Sequence, residues 1–418
     1  MNFDKVEDKK PVSFLLITII FLAGAVLALC SSIKIQTVMI GYQYNVLVIL
    51  IIMELFTNLI VETKIMQYLA TRLALRSHGN KRTILILFSL LMFAISPFIN
   101  NITSVMVILP VIFVLLKAID LDRHYICIFF ANLLAISNTG GASSPIGDFP
   151  AIIIMTSGIT TFLDYLIRAM PVFIMTTIVL VVFWSFHIKK GIDAQSQELA
   201  VKLLHARYKH ITVDKHTLIP LCIIFVAMFF TWSFVPQNVI PPEIVAVLGY
   251  VLAAAVCVMQ GKKIKIIIDF KGVLTIAGFL FMASIISSTG WLELLGNILQ
   301  TNIHNPRTLL LVIMFITSLV SGLFSAGPAA AAMMPIIINL CNTTLAEQSH
   351  WVAIAYAGAI CAGSSLFMWS ATAGFILSNK IEEAKLGYQW GISSYLKFGI
   401  TNYIIQILIT MGTIAIIL

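Results

Sequence analysis

The chain has 418 residues, 60% hydrophobic and 11% charged. Soluble domains carry about 25% charged residues, so this composition excludes an ordinary soluble domain and points to a polytopic membrane protein. The net charge of +8 does not indicate nucleic-acid binding, because the basic residues gather at the ends of apolar runs, and the six cysteines form no C-x-x-C pair, so neither a disulfide framework nor a metal site is indicated.

Residues 12–33 follow Lys5, Lys9 and Lys10 and are too long for a signal-peptide core, so they read as an uncleaved first span. Residues 44–61 form a second span, with Glu54 inside it. Residues 64–82 place Ile65, Met66, Leu69 and Leu73 at helical spacing among basic residues, the pattern of an interfacial amphipathic helix. The apolar segments 83–95 and 104–116 are too short to span. They flank Ser96-Pro-Phe-Ile-Asn-Asn-Ile-Thr103, so they predict a re-entrant hairpin. The run 125–157 is interrupted by Asn138-Thr-Gly-Gly-Ala-Ser-Ser-Pro-Ile-Gly-Asp-Phe-Pro150. Proline lacks an N–H and glycine is loose, so two half-helices are expected around a polar centre, each flank shorter than the ~20 residues a span needs. Such breaks survive at membrane depth only when buried in protein or lining a wet cavity. An ordinary span, 164–186, and a polar segment, 187–216, complete the first half.

The second half reads as spans 217–234 and 244–259, a basic loop 261–271, a span 273–289 and an amphipathic segment 290–304. Segments 308–324 and 329–340 flank Ser325-Ala-Gly-Pro328. The run 351–377 is broken by Ala362-Gly-Ser-Ser365 and Ser370-Ala-Thr-Ala-Gly374, and 395–418 is the last span. Ser96 to Pro110 (SPFINNITSVMVILP) and Ser321 to Pro335 (SGLFSAGPAAAAMMP) have equal lengths and the same end residues. Each follows an amphipathic segment and precedes a Gly/Ser-rich break. The expected fold is therefore an all-α polytopic membrane protein with two inverted-topology repeats, each with a re-entrant hairpin and a broken transmembrane helix. The expected division is 1–186, a cytoplasmic linker 187–216, and 217–418. Loop ends assigned to one side hold 22 of the 26 Lys and Arg, which puts the N-terminus inside and the C-terminus outside. The first amphipathic segment carries five of these charges and the second, 290–304, carries none, so the repeats are expected to be inverted.

Ionisable groups at membrane depth are costly and usually functional. Asp148 and Glu54 are the two carboxylates well inside apparent spans, and are read as candidate proton or coupling groups. Capping of the half-helix after it is the alternative use of Asp148, and does not exclude binding. Asn100, Asn101, Thr103, Asn138, Ser143 and Ser144 supply amide and hydroxyl oxygens of the type hard cations prefer; helix–helix hydrogen bonding is the alternative use of the same groups. Ser325, Ser364 and Ser365 are their candidate partners in the second repeat. Asp164 and Arg168, one turn apart, are expected to pair with each other.

Asn138 to Asp148 resembles the Asn-x-Gly-Gly-x-x-[Ser/Thr]-Pro-Ile-Gly-Asp signature of the ion transporter superfamily, closest to sodium/proton antiporters of the NhaD type, with arsenite and citrate carriers as relatives. Asn100-Asn-Ile-Thr103 resembles the Asp-Asn-x-Thr hairpin tip, and Gly363 to Gly374 the second break. The resemblance covers roughly residues 46–377. It departs at Asn100, which replaces an acid; at Ser325-Ala326, which replaces an Asp-Asn pair; and at Phe149-Pro150, which replaces threonines. The resemblance implies an ion-coupled secondary transporter, not an enzyme, working by alternating access as a sodium/proton antiporter. The departures favour an anion carrier for arsenite or di- and tricarboxylates, and a non-transporting or enzymatic membrane protein is the reading from another class. The implied partners are a small ion or small-molecule substrate, the lipid bilayer and a second copy in a homodimer, with no nucleic acid. No cofactor is expected beyond transported or coupling Na+ and H+. A bacterial inner membrane is the expected location.

Overall fold

A computed structural model describes residues 42–118, 123–188, 211–268, 270–371, 373–384 and 392–417, with a few scattered positions elsewhere. The expected first span, 12–33, and most of the linker 187–216 lie outside the described residues. Sixteen α-helices and no strands occur among the described residues. Seven helices are long and apolar enough to cross a membrane, and eight if the sharply bent pair Ala326–Asn342 and Ala346–Ser364 counts as one. The protein is an all-α polytopic membrane protein.

The helices are α1 (Tyr44–Glu62), α2 (Ile65–Arg76), α3 (Lys81–Ile95), α4 (Asn101–Ala118), α5 (Arg123–Ala142), α6 (Phe149–Thr156), α7 (Phe162–His187), α8 (Lys215–Phe234) and α9 (Pro242–Met259). Then follow α10 (Phe270–Ser288), α11 (Trp291–Asn302), α12 (Pro306–Phe324), α13 (Ala326–Asn342), α14 (Ser349–Ser364), α15 (Gly374–Glu383) and α16 (Ile392–Ile417). The succession α1 to α7 is matched, helix by helix, by α10 to α16. The pairs α1/α10, α2/α11 and α7/α16 have 19, 12 and 26 residues in both members.

Contacts at the helix ends fix the directions. Thr63, just after α1, accepts a hydrogen bond from the Asp214 N–H at 3.1 Å. Asp214 caps α8 through the Thr217 N–H and hydroxyl and pairs with Lys262, beyond α9. At the same face the Lys81 ammonium lies over the Tyr125 ring, the Arg82 guanidinium over Phe186, and Arg123 donates to the Ser394 hydroxyl at 2.7 Å. So α1 and α7 run toward this basic face, whereas α10 and α16 start from it. The start of α7 meets the start of α14 at the opposite face, where Arg168 lies over the Trp351 ring. Asp164 and Arg168 form the expected pair, at 3.7 Å.

Two sequence-based boundaries shift. Helix α5 does not stop before the Gly-Gly pair: it runs 20 residues, through Gly140 and Gly141, and the break occupies residues 143–148. Side chains take up the carbonyls at its end, with the Tyr165 hydroxyl donating to Ala142 O at 2.7 Å and the Ser143 hydroxyl to Gly140 O at 2.6 Å. One flank of the expected break is therefore long enough to span alone. In the second hairpin, Ala-Gly-Pro328 is no loop. Helix α13 starts at Ala326 and holds Pro328 in its first turn, where the missing N–H costs no hydrogen bond. Only Ser325 separates α12 from α13.

The core sits around α5 and α14. Helix α5 is buried over its whole apolar window. Helices α3, α7 and α16 pack on α5, and α12 and α16 on α14. Helices α8 and α9 stand at the periphery with α1, and leave Ile223, Phe230, Leu248 and Val251 exposed, as lipid-facing helices do.

Candidate functional site

The first hairpin tip and the first helix break meet at one place. Asn100 caps α4, its side-chain oxygen accepting from the Ile102 N–H at 2.9 Å. The next residue, Asn101, is fully buried and donates from Nδ2 to Asp148 Oδ2 at 2.9 Å. Asp148 has extended backbone, precedes α6, and accepts the Phe149 N–H on its other oxygen at 2.8 Å. The cap and the hairpin contact thus use different oxygens of one carboxylate. Because Nδ2 of Asn101 is spent on Asp148, its Oδ1 stands as an acceptor, buried and with no hydrogen-bond partner. Asn138 repeats the arrangement. Its Nδ2 donates to the Ser364 hydroxyl at 2.9 Å, which ties α5 to α14 across the two halves, and its Oδ1 is likewise buried and unpaired.

Asp148 borders two cavities. The larger, about 80 Å3, is lined by Glu54 and Thr57 of α1, Phe98 and Asn100 of the hairpin tip, Gly147, Asp148, and residues near the start of α10. The smaller, about 10 Å3, is lined by Asn138, Asp148, Ala326, Cys361 and Ser364 among others. Roughly 10–15 Å3 admits one water, so the smaller fits one water or one bare monovalent cation, and the larger fits a few waters. Hard cations take oxygen ligands, and the smaller cavity is bordered by the Asp148 carboxylate, the Asn138 amide and Ser364; Asn101 lines neither cavity.

Close packing holds these groups in place. A Cβ on Gly141 would lie 2.8 Å from the Asp148 Cβ and 3.0 Å from Asn101 Oδ1. The hairpin is anchored on its other side by Phe98, whose ring lies 5.8 Å from both Phe225 and Phe229 of α8.

Of the residues singled out in the sequence, Asn100, Glu54 and Asp148 share the larger cavity, and Asn138, Asp148 and Ser364 share the smaller. Asn101 joins through its hydrogen bond to Asp148. The hydroxyls of Ser143 and Ser365 turn back to Gly140 O and Cys361 O of their own chain segments. Ser144 is buried in the break, and Thr103 and Ser325 are half-buried; none of the three lines either cavity. Sequence reasoning missed Gly141, Tyr165 and Cys361. Gly141 lay inside the motif without a role of its own, and the other two looked like ordinary apolar filling.

The two hairpins meet their breaks in the same way. A Cβ on Gly140 would lie 2.7 Å from the Ser96 Cβ, and one on Gly363 would lie 2.7 Å from the Ser321 Cβ.

A family model described as "Citrate transporter" matches residues 8–361 and 234–418. The "46 kDa membrane protein" of Mycobacterium leprae is 26% identical over 320 residues, 75% of this chain and 73% of that protein. The magnetosome protein MamN of Paramagnetospirillum magneticum is 25% identical over 387 residues, 89% of this chain and 86% of that protein. An uncharacterized transporter of Mycobacterium tuberculosis is 26% identical over 302 residues, 72% of this chain and 69% of that protein.

Proposed function

The chain belongs to the citrate transporter family and is a membrane transporter, and from that premise we propose that it is an ion-coupled secondary carrier of the sodium/proton antiporter type. One observation carries the cation reading. Asp148 and Asn138, whose Oδ1 is unpaired, border the smaller cavity, and the unpaired Oδ1 of Asn101 lies beside the break against Gly141. In this reading Asp148 exchanges a proton for a cation. The two halves, 1–186 and 217–418 about the linker 187–216, act as inverted repeats in alternating access, with the basic face cytoplasmic. Glu54 borders the larger cavity from α1.

The family description favours a second reading, a carboxylate carrier. A helix N-terminus attracts anions, which would suit the start of α6. Asp148 already accepts the first N–H of α6 and fills that position with its own charge, which weighs against an anion there.

The test is transport in everted vesicles with a trapped pH dye. Added sodium or lithium should dissipate the proton gradient in wild type, and Asp148→Asn should lower the rate by about 100-fold or more. A well-expressed wild type that ignores both cations, but exchanges a di- or tricarboxylate, would overturn the cation reading in favour of the second.

A further inference from the structure

The helix-by-helix correspondence allows each site residue to be compared with its counterpart. Helix α4 begins with Asn101 and its counterpart α13 begins with Ala326. The residue before α6 is Asp148, and the residue before α15 is Ala373. The hydrogen-bonded pair Asn101–Asp148 therefore corresponds to two alanines, both buried. Glu54 stands ten residues beyond the start of α1, and the same position of α10 is the buried Leu280.

The backbone differs in the same sense. Helix α3 has 15 residues and releases the chain at Ser96, so the tip spans residues 96–100 and Asn100 and Asn101 are free to reach their partners. Helix α12 has 19 residues and stays helical through Phe324. The second tip is one residue, Ser325, at φ 93° and ψ 154°, and its side chain makes no cap. An unwound five-residue tip can turn several backbone groups toward an ion; a one-residue tip leaves only the end groups of two helices, and the Ser325 N–H is already bonded to Ser321 O.

We propose that the carrier holds one cation site per chain, at Asp148 and Asn101, and that the symmetry-related position in the second half is closed by alanine packing. The proposal rests on the cation reading above and adds the count. The second half then serves as a packing wall and supplies Ser364 and Cys361 to the smaller cavity, without a carboxylate of its own at the equivalent place.

The experiment is equilibrium binding of radioactive sodium to the purified full chain, paired with sodium-driven proton movement in proteoliposomes. The expected results are one sodium per chain, none in Asp148→Asn, and a Hill coefficient of about 1 for transport. Asn101→Ala, which keeps the carboxylate, should weaken binding by about tenfold, as loss of one hydrogen bond to a charged group does, and it serves if Asp148→Asn does not purify as a monodisperse protein. Two sodium ions per chain, or one that survives in both variants, overturns the single site while leaving sodium/proton exchange intact. One bound sodium with no coupled proton movement keeps the single site and sinks the antiport reading. Wild type that binds no sodium sinks both.

Discussion

Gly141 is the residue on which the site geometry depends most tightly. Its missing side chain lets α5 pass within contact of both members of the Asn101–Asp148 pair. The nearest atom to an added methyl would be the Asp148 Cβ, which moves only with its backbone. Gly141→Ala should therefore cost about 1–3 kcal/mol, as overpacking does, and push the carboxylate off Asn101. A melting measurement in detergent should show the loss, and cation-driven proton movement should fall with it. Unchanged melting and transport together would show that the pair is not clamped there. The carboxylate itself was legible in the sequence, because an acid within an apolar run has few cheap explanations. Its partners were less so. Asn138 meets a serine 226 residues away, and Tyr165 works through a hydroxyl on an aromatic ring that fills the core like any other.

The helices were readable wherever apolar length and periodicity decided them, and misread where a breaker residue had a second use. Gly140 and Gly141 stay helical because α3 and the hairpin tip press on α5 there, while side-chain hydroxyls take up the terminal carbonyls. Pro328 stays helical because it sits in a first turn. The real discontinuity in the second hairpin falls on Ser325 alone, ahead of the glycine and the proline. Its backbone lies in a region that glycine alone adopts freely, at a cost of about 1–3 kcal/mol for other residues. Ser325→Gly should relieve part of that cost and raise the melting temperature, less the roughly 0.5–1 kcal/mol that a more flexible unfolded chain gives back. A melting temperature that falls would show that the serine side chain, and not backbone strain, governs the tip.

At the level of the whole molecule, the order of elements was the most legible feature, because seven helices recur in one order, three of the pairs with equal lengths, and the pattern of apolar runs is enough to see it. What the pattern could not reveal is how unequally the halves are packed. Helix α1 packs on α6, whereas its counterpart α10 packs on α13. In the alternating-access mechanism proposed above, a second state exchanges these unlike environments, with α10 against α15 and α1 against α4. Helices α8 and α9, which have no counterparts in either set of seven, stand at the periphery against the first half, and α8 holds the first hairpin through Phe98.

Cys361 supplies a chemical clock for that exchange. Its thiol borders the smaller cavity beside Asp148 and is buried, so a water-borne maleimide reaches it only while the cavity is open. In a variant whose other cysteines are replaced, the alkylation half-time measures how often the opening occurs. Sodium should lengthen that half-time by filling the space next to the sulfur, and Asp148→Asn should abolish the protection. Alkylation that is fast and indifferent to sodium would mean that the thiol is reached by another route. With sodium protection observed, the protein carries at its centre a residue whose reaction rate reports turnover without any transported species being followed.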